Sequence, residues 1–79
     1  MNNSEYFEDA LKLVATEKKI IDLEKEIKDY IETNGVDESN ISKEDLLNLG
    51  EKYSTLYTLK KLKDKLFSKV ALGYKKFSY

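Results

Sequence analysis

Asn34-Gly35-Val36-Asp37-Glu38-Ser39-Asn40-Ile41-Ser42-Lys43-Glu44-Asp45-Leu46 reads as a helix stop followed at once by a helix start. Asn34-Gly35 supplies the left-handed residue of a C-cap, and Val36 the apolar contact that often accompanies it. Ser42-Lys43-Glu44-Asp45 has the spacing of a capping box, with Asp where Glu is usual, and Ile41 is placed to staple onto Leu46. A connection of only 35–41 makes the flanking helices antiparallel neighbours.

Upstream, Tyr6, Leu13, Ile20 and Ile27 repeat every seven residues, and Leu23 and Tyr30 fill the second heptad position. This spacing predicts a helix over 4–34 with coiled-coil character. Glu5, Glu8 and Asp9 sit in its first turns, where the helix dipole favours negative charge. Downstream, Leu46, Leu49, Tyr53, Leu56, Leu59, Leu62, Leu66 and Val70 descend at three- and four-residue steps, predicting a helix over 42–72. Gly73 is expected as its C-cap, leaving 73–79 as a tail. Gly50 costs ~1 kcal/mol against Ala in a helix interior and is read as either a kink or, in preference, a point of close helix approach. The expected fold is all-α: a single 79-residue domain of two long antiparallel helices, an α-hairpin.

Charge follows the same division. Residues 22–45 hold nine acids and three lysines, net −6, whereas residues 46–79 hold eight lysines and two acids, net +6. Antiparallel pairing sets acids of the first helix against lysines of the second and leaves the turn end acidic. The apolar stripes are wider than one seam. Phe7, Val14, Ile21 and Ile31 flank the first, and Leu47, Tyr57 and Phe67 flank the second. Two hairpins joined in a four-helix bundle, a homodimer, are the expected cover, with a foreign protein as the other possibility.

Composition excludes several functions. Cysteine, histidine and arginine are all absent, and every basic residue is lysine. Disulfides and zinc-thiolate sites are therefore excluded, as are imidazole acid–base chemistry and bidentate arginine recognition of phosphate. A chain this small has little room for an enclosed pocket. The expectation is a non-enzyme with no catalytic residue, metal or cofactor. No apolar run reaches the ~20 residues of a membrane span, and Met1-Asn2-Asn3-Ser4-Glu5 lacks the basic and apolar regions of a secretory signal. A cytoplasmic location is expected. The abundance of Lys, Asn, Ile and Tyr is that of an AT-rich genome, such as a low-GC bacterium or its phages.

Three constellations carry possible chemistry. Lys60, Lys61, Lys63, Lys65, Lys69, Lys75 and Lys76 alternate with apolar and aromatic residues, a pattern for a membrane or nucleic-acid surface. A pI of 5.5 and the absence of arginine count against DNA, and a solvated helix face is the plainer reading. Asp37 and Glu38, near Glu32, Glu44 and Asp45, form an acidic turn without the order of an EF-hand. The six tyrosines are the richest feature, because tyrosine offers rigid contact area with a polar tip. Tyr53, Tyr57, Lys60, Lys61 and Asp64 form the candidate partner-binding surface, with Tyr53 also expected to serve the seam.

Small helical-hairpin phosphatases that act on sporulation response regulators resemble this chain in size, turn position and capped second helix. Their Ser-Gln-Glu-Leu-Asp signature corresponds here to Leu49-Gly50-Glu51-Lys52-Tyr53, which keeps one Glu and lacks both Ser and Asp. No functional residue carries over. The sequence is read as an interaction module that binds and modulates another protein, with inhibition the favoured mode, and a phage or mobile-element product acting on a bacterial host target fits its size, charge and residue bias. A self-assembling structural dimer, and a nucleic-acid or membrane binder using the lysine-rich helix, are the alternatives.

Overall fold

A computed structural model describes the backbone of residues 3–77 and side chains from Phe7 to Gly73. The chain is two helices, α1 (Asn3–Asn34) and α2 (Lys43–Phe77), folded back on each other into a rod of 56 × 16 × 15 Å. This is the expected all-α hairpin, and the described residues contain no strand.

The turn is built as its residues dictate. Gly35 has φ 58°, the left-handed conformation in which a side chain would be strained. Val36 N–H donates to the Ile31 carbonyl at 3.0 Å and Gly35 N–H to the Glu32 carbonyl at 3.4 Å, the paired bonds of a Schellman motif. Ile31 and Val36 both pack on the core, so Ile31 is covered within the hairpin instead of flanking it. At the start of α2, Asp45 N–H donates to Ser42 Oγ at 3.1 Å. The Asp45 carboxylate is directed across the turn to Tyr30 rather than back to Ser42, so one half of the expected capping box is used for tertiary contact.

The core is a ladder of Ile20 and Ile27 from α1 against Leu49 and Leu56 from α2, with Leu23, Tyr30, Ile31, Val36, Ile41 and Leu59 packed around it. Leu66 and Thr16 extend the buried line toward the open end. The buried Thr16 hydroxyl donates to the Lys12 carbonyl at 2.7 Å, so its polarity is satisfied. In α1 the seam runs Leu13, Thr16, Ile20, Leu23, Ile27, Tyr30, all buried or half-buried, at alternating three- and four-residue steps.

In α2 the seam differs from the stripe read in the sequence. The same steps give Leu49, Lys52, Leu56, Leu59, Lys63, Leu66, Val70 and Gly73, each buried or half-buried. Leu46, Tyr53 and Leu62 are exposed instead. The two lysines fill seam positions with their aliphatic stems and carry their charges out to acids of α1: Lys52 pairs with Glu26 at 2.5 Å and Lys63 with Glu17 at 3.9 Å.

Neither glycine of α2 takes the role expected of it. Gly50 lies on the exposed side of an unbroken helix, and a Cβ added there would meet nothing within 4 Å. It marks no close approach. Gly73 is buried within α2, which continues to Phe77. A C-cap needs a left-handed residue, and among the described residues only Gly35 has positive φ. The second helix therefore runs past the expected end at 72 into the region read as a tail. The side chains of Tyr6 and of residues 74–79, including Lys75 and Lys76, lie outside the described residues.

Candidate functional site

The hairpin is a two-helix slab with two broad sides, and they differ in chemistry. On one side a groove lined by Glu24, Ile27, Lys28, Ile31, Tyr53 and Leu56 continues toward the turn between Ile31, Val36, Ile41, Leu46 and Tyr53. On the other side, Lys12, Lys19, Lys65 and Lys69 surround a depression with Asp9, Thr16 and Leu62.

Helical periodicity extends the first side along the rod. Leu46, Tyr53, Lys60 and Phe67 recur every seven residues on α2, with Gly50, Tyr57, Asp64 and Ala71 between them. On α1, Val14, Ile21 and Lys28 follow the same repeat on the flank that Lys28 contributes to the groove. Val14, Ile21, Leu46, Tyr53, Tyr57 and Phe67 are each at least half exposed, with Tyr57 at 62%. Leu11, Leu47 and Leu72 are also exposed, on the outer edges, and Leu62 lies on the lysine side.

The sequence-derived surface residues thus fall on one flank of α2. Tyr53 lines the groove and does not serve as a seam residue. Tyr57 stands outside it with the Lys61 ammonium 5.0 Å from its ring centroid, a cation–π distance. Lys60 reaches back to Glu24 at 3.9 Å, tying this flank to α1. Asp64 is exposed, and its backbone carbonyl accepts from the Ser68 hydroxyl. The described lysines of α2 do not form one basic surface. Lys60 and Lys63 pair with acids of α1, Lys61 covers Tyr57, and Lys65 and Lys69 occupy the opposite side.

A polar cluster at the turn end was not legible in the sequence. Tyr30 Oη donates to Asp45 at 2.6 Å and accepts from Asn48 Nδ2 at 3.1 Å, while the Lys52 ammonium lies 6.0 Å from the Tyr30 ring centroid. The bond to Asp45 pushes the Tyr30 hydroxyl above the ordinary tyrosine range, opposed by the weaker donation from Asn48. In the loop, Asp37 accepts from both the hydroxyl and the backbone N–H of Ser39, which holds its carboxyl below the usual range. Among the described residues no three acidic side chains converge on a metal site, and no helix is long and apolar enough to cross a membrane.

Compared with known proteins, the chain matches no family model, no curated protein and no solved structure.

Proposed function

We propose that this hairpin is a non-enzymatic interaction module that binds another protein through its apolar broad side and thereby modulates it. The observation that carries this reading is the wide band of exposed apolar side chains on one side of a rod whose own seam is already closed. Contiguous apolar surface rimmed by charge is the usual form of a docking site. Tyr53 and Tyr57 provide its rigid anchors, and Lys60, Lys61 and Asp64 provide a polar rim. A helix-presenting partner fits this surface, because the groove between α1 and α2 runs along the rod. Small size and an AT-rich residue bias favour a phage or mobile-element product that inhibits a host protein in the bacterial cytoplasm.

The nucleic-acid and membrane alternative is weaker. Among the described residues the lysines it requires are divided between two sides, and Lys60 and Lys63 pair with α1 acids. The test is affinity capture from a low-GC bacterial lysate, with an unrelated hairpin of similar charge as control. A protein retained at stoichiometric level by this chain alone is expected. Retention of only nucleic acid or lipid, lost at high salt, would replace the reading with the electrostatic one.

A further inference from the structure

We infer that the apolar broad side closes on a second copy of this chain, with the two rods antiparallel so that the turn of each meets the open end of the other. This rests on the reading of that side as a docking surface and adds its occupant and orientation.

The first argument is area. A compact monomer of 9.2 kDa is expected to expose about 4,900 Å², whereas this chain exposes 6374 Å². The excess, about 1,500 Å², is larger than the roughly 800 Å² that one partner buries in a standard interface. The area is therefore sufficient for a second copy even after the part that follows from the 56 × 16 × 15 Å elongation of the rod. A second hairpin on the broad side buries Val14, Ile21, Leu46, Tyr53, Tyr57 and Phe67 of both copies and completes a four-helix layer arrangement.

The second argument is charge, and it selects the orientation. Divide the rod at its middle, where residue 21 lies near the level of residue 57 in the antiparallel pairing. The turn half, residues 22–56, holds ten acids and four lysines, net −6. The open half, residues 1–21 and 57–79, holds ten lysines and five acids, net +5. Four of these lysines, Lys12, Lys19, Lys65 and Lys69, line the opposite broad side, so the asymmetry acts as a field between whole rods and not as contacts across the apolar side. Interhelical pairs inside one hairpin, such as Lys60 with Glu24 near the middle, leave this end-to-end asymmetry intact. Parallel rods would set −6 beside −6 and +5 beside +5. Antiparallel rods set each end against its opposite, and a two-fold axis through the middle makes both contacts equivalent. A foreign target that uses Tyr57 then competes with the second copy for the same side.

The chain contains no cysteine, so one introduced thiol is unique. Asn40→Cys places a spin label at the turn, on an exposed residue. Sedimentation equilibrium at low salt is expected to give twice the 9.2 kDa chain mass. Double electron–electron resonance is expected to give a label separation near the full rod length of 56 Å. Antiparallel dimerisation should also weaken at least several-fold as salt rises toward 0.5 M, where the Debye length shrinks well below 10 Å. A dimer with labels within about 25 Å, the span of neighbouring helices and two label tethers, would overturn the orientation. A helical monomer at tens of micromolar would overturn the second copy as occupant. Capture of a foreign protein by that monomer would leave the docking-surface reading standing, and failure of both measurements would remove both.

Discussion

The hydroxyl of Tyr30, in the last turns of α1, donates a 2.6 Å hydrogen bond to the carboxylate of Asp45, in the first turn of α2. This bond spans the loop at its base and takes the acid that the sequence assigns to helix capping. Asp45 still contributes its backbone N–H to Ser42, so one residue starts α2 and holds it to α1.

A pH signature follows. The bond favours neutral Tyr30, so its folded-state pKa is raised above the unfolded value near 10. A raised pKa means that the native state binds the proton more tightly. The stabilisation is therefore complete below the unfolded value and is lost as pH rises through the folded one. In a spectrophotometric titration at 295 nm, Tyr30→Phe should remove a step that lies above the ordinary tyrosine range. Tyr30→Phe should also lower the melting temperature at neutral pH, with the difference from wild type shrinking at the alkaline end. Loss of a step within the ordinary tyrosine range, instead of a late one, would show that the bond is not formed in solution.

The seam lysines give the second prediction. Lys63 occupies a heptad position between Leu59 and Leu66, and its ammonium reaches Glu17 at 3.9 Å. An exposed pair of this kind contributes about 0–1 kcal/mol, whereas burying further apolar carbon contributes ~0.8 kcal/mol per methylene. Lys63→Leu should therefore raise stability slightly, by up to about 1 kcal/mol. Lys63→Glu, facing Glu17, should lower it. Urea unfolding of the three chains checks the order, and a clear loss in Lys63→Leu would show that the pair outweighs the packing.

How far the sequence discloses the fold can be judged at these same positions. The turn was legible because its signals are local: Gly35 needs a left-handed conformation, and Ser42 caps a helix within three residues. Both helices were legible through their apolar periodicity. The rotation of α2 was not, because a reading that follows only apolar residues passes over Lys52 and Lys63 and substitutes Leu46, Tyr53 and Leu62. Thr16 was missed for the same reason: it is polar, yet it continues the spacing of Leu23 and Tyr30. Both departures in the seam came from polar residues occupying seam positions. The flank bearing Tyr57, Lys60, Lys61 and Asp64 was nevertheless identifiable as a single surface, since residues three and four apart share a helix face whatever its rotation.

Gly50 supplies the third prediction. It sits inside α2, is exposed, and has open space where a Cβ would project. Gly50→Ala should thus recover the helix-propensity difference of ~1 kcal/mol without a steric cost. Thermal unfolding, at a concentration low enough to hold the chain monomeric, should show a melting temperature higher by about 4–8 °C for a domain of this size. A decrease would mean that the backbone at Gly50 is not the regular, open helix described.

The last prediction concerns Tyr57 and Lys61. Tyr57 is 62% exposed and makes no contribution to the core cluster, while Lys61 lies over its ring at 5.0 Å. Removing both should leave the helical circular dichroism unchanged, because neither side chain closes the seam. In a binding interface, by contrast, a tyrosine anchor can contribute 2 kcal/mol or more, and reversing the neighbouring charge alters the rim that orients a partner. Tyr57→Ala combined with Lys61→Glu should therefore reduce capture of the target by at least about thirtyfold, the equivalent of 2 kcal/mol, at nearly constant melting temperature under monomeric conditions. Loss of helix in the double variant would assign Tyr57 a structural role that its exposure does not indicate. Full folding with full binding would move the contact to another part of the rod. The acidic turn around Asp37 and Glu38 is then the next surface to test, by Glu38→Lys, which leaves the Asp37–Ser39 hydrogen bonds in place.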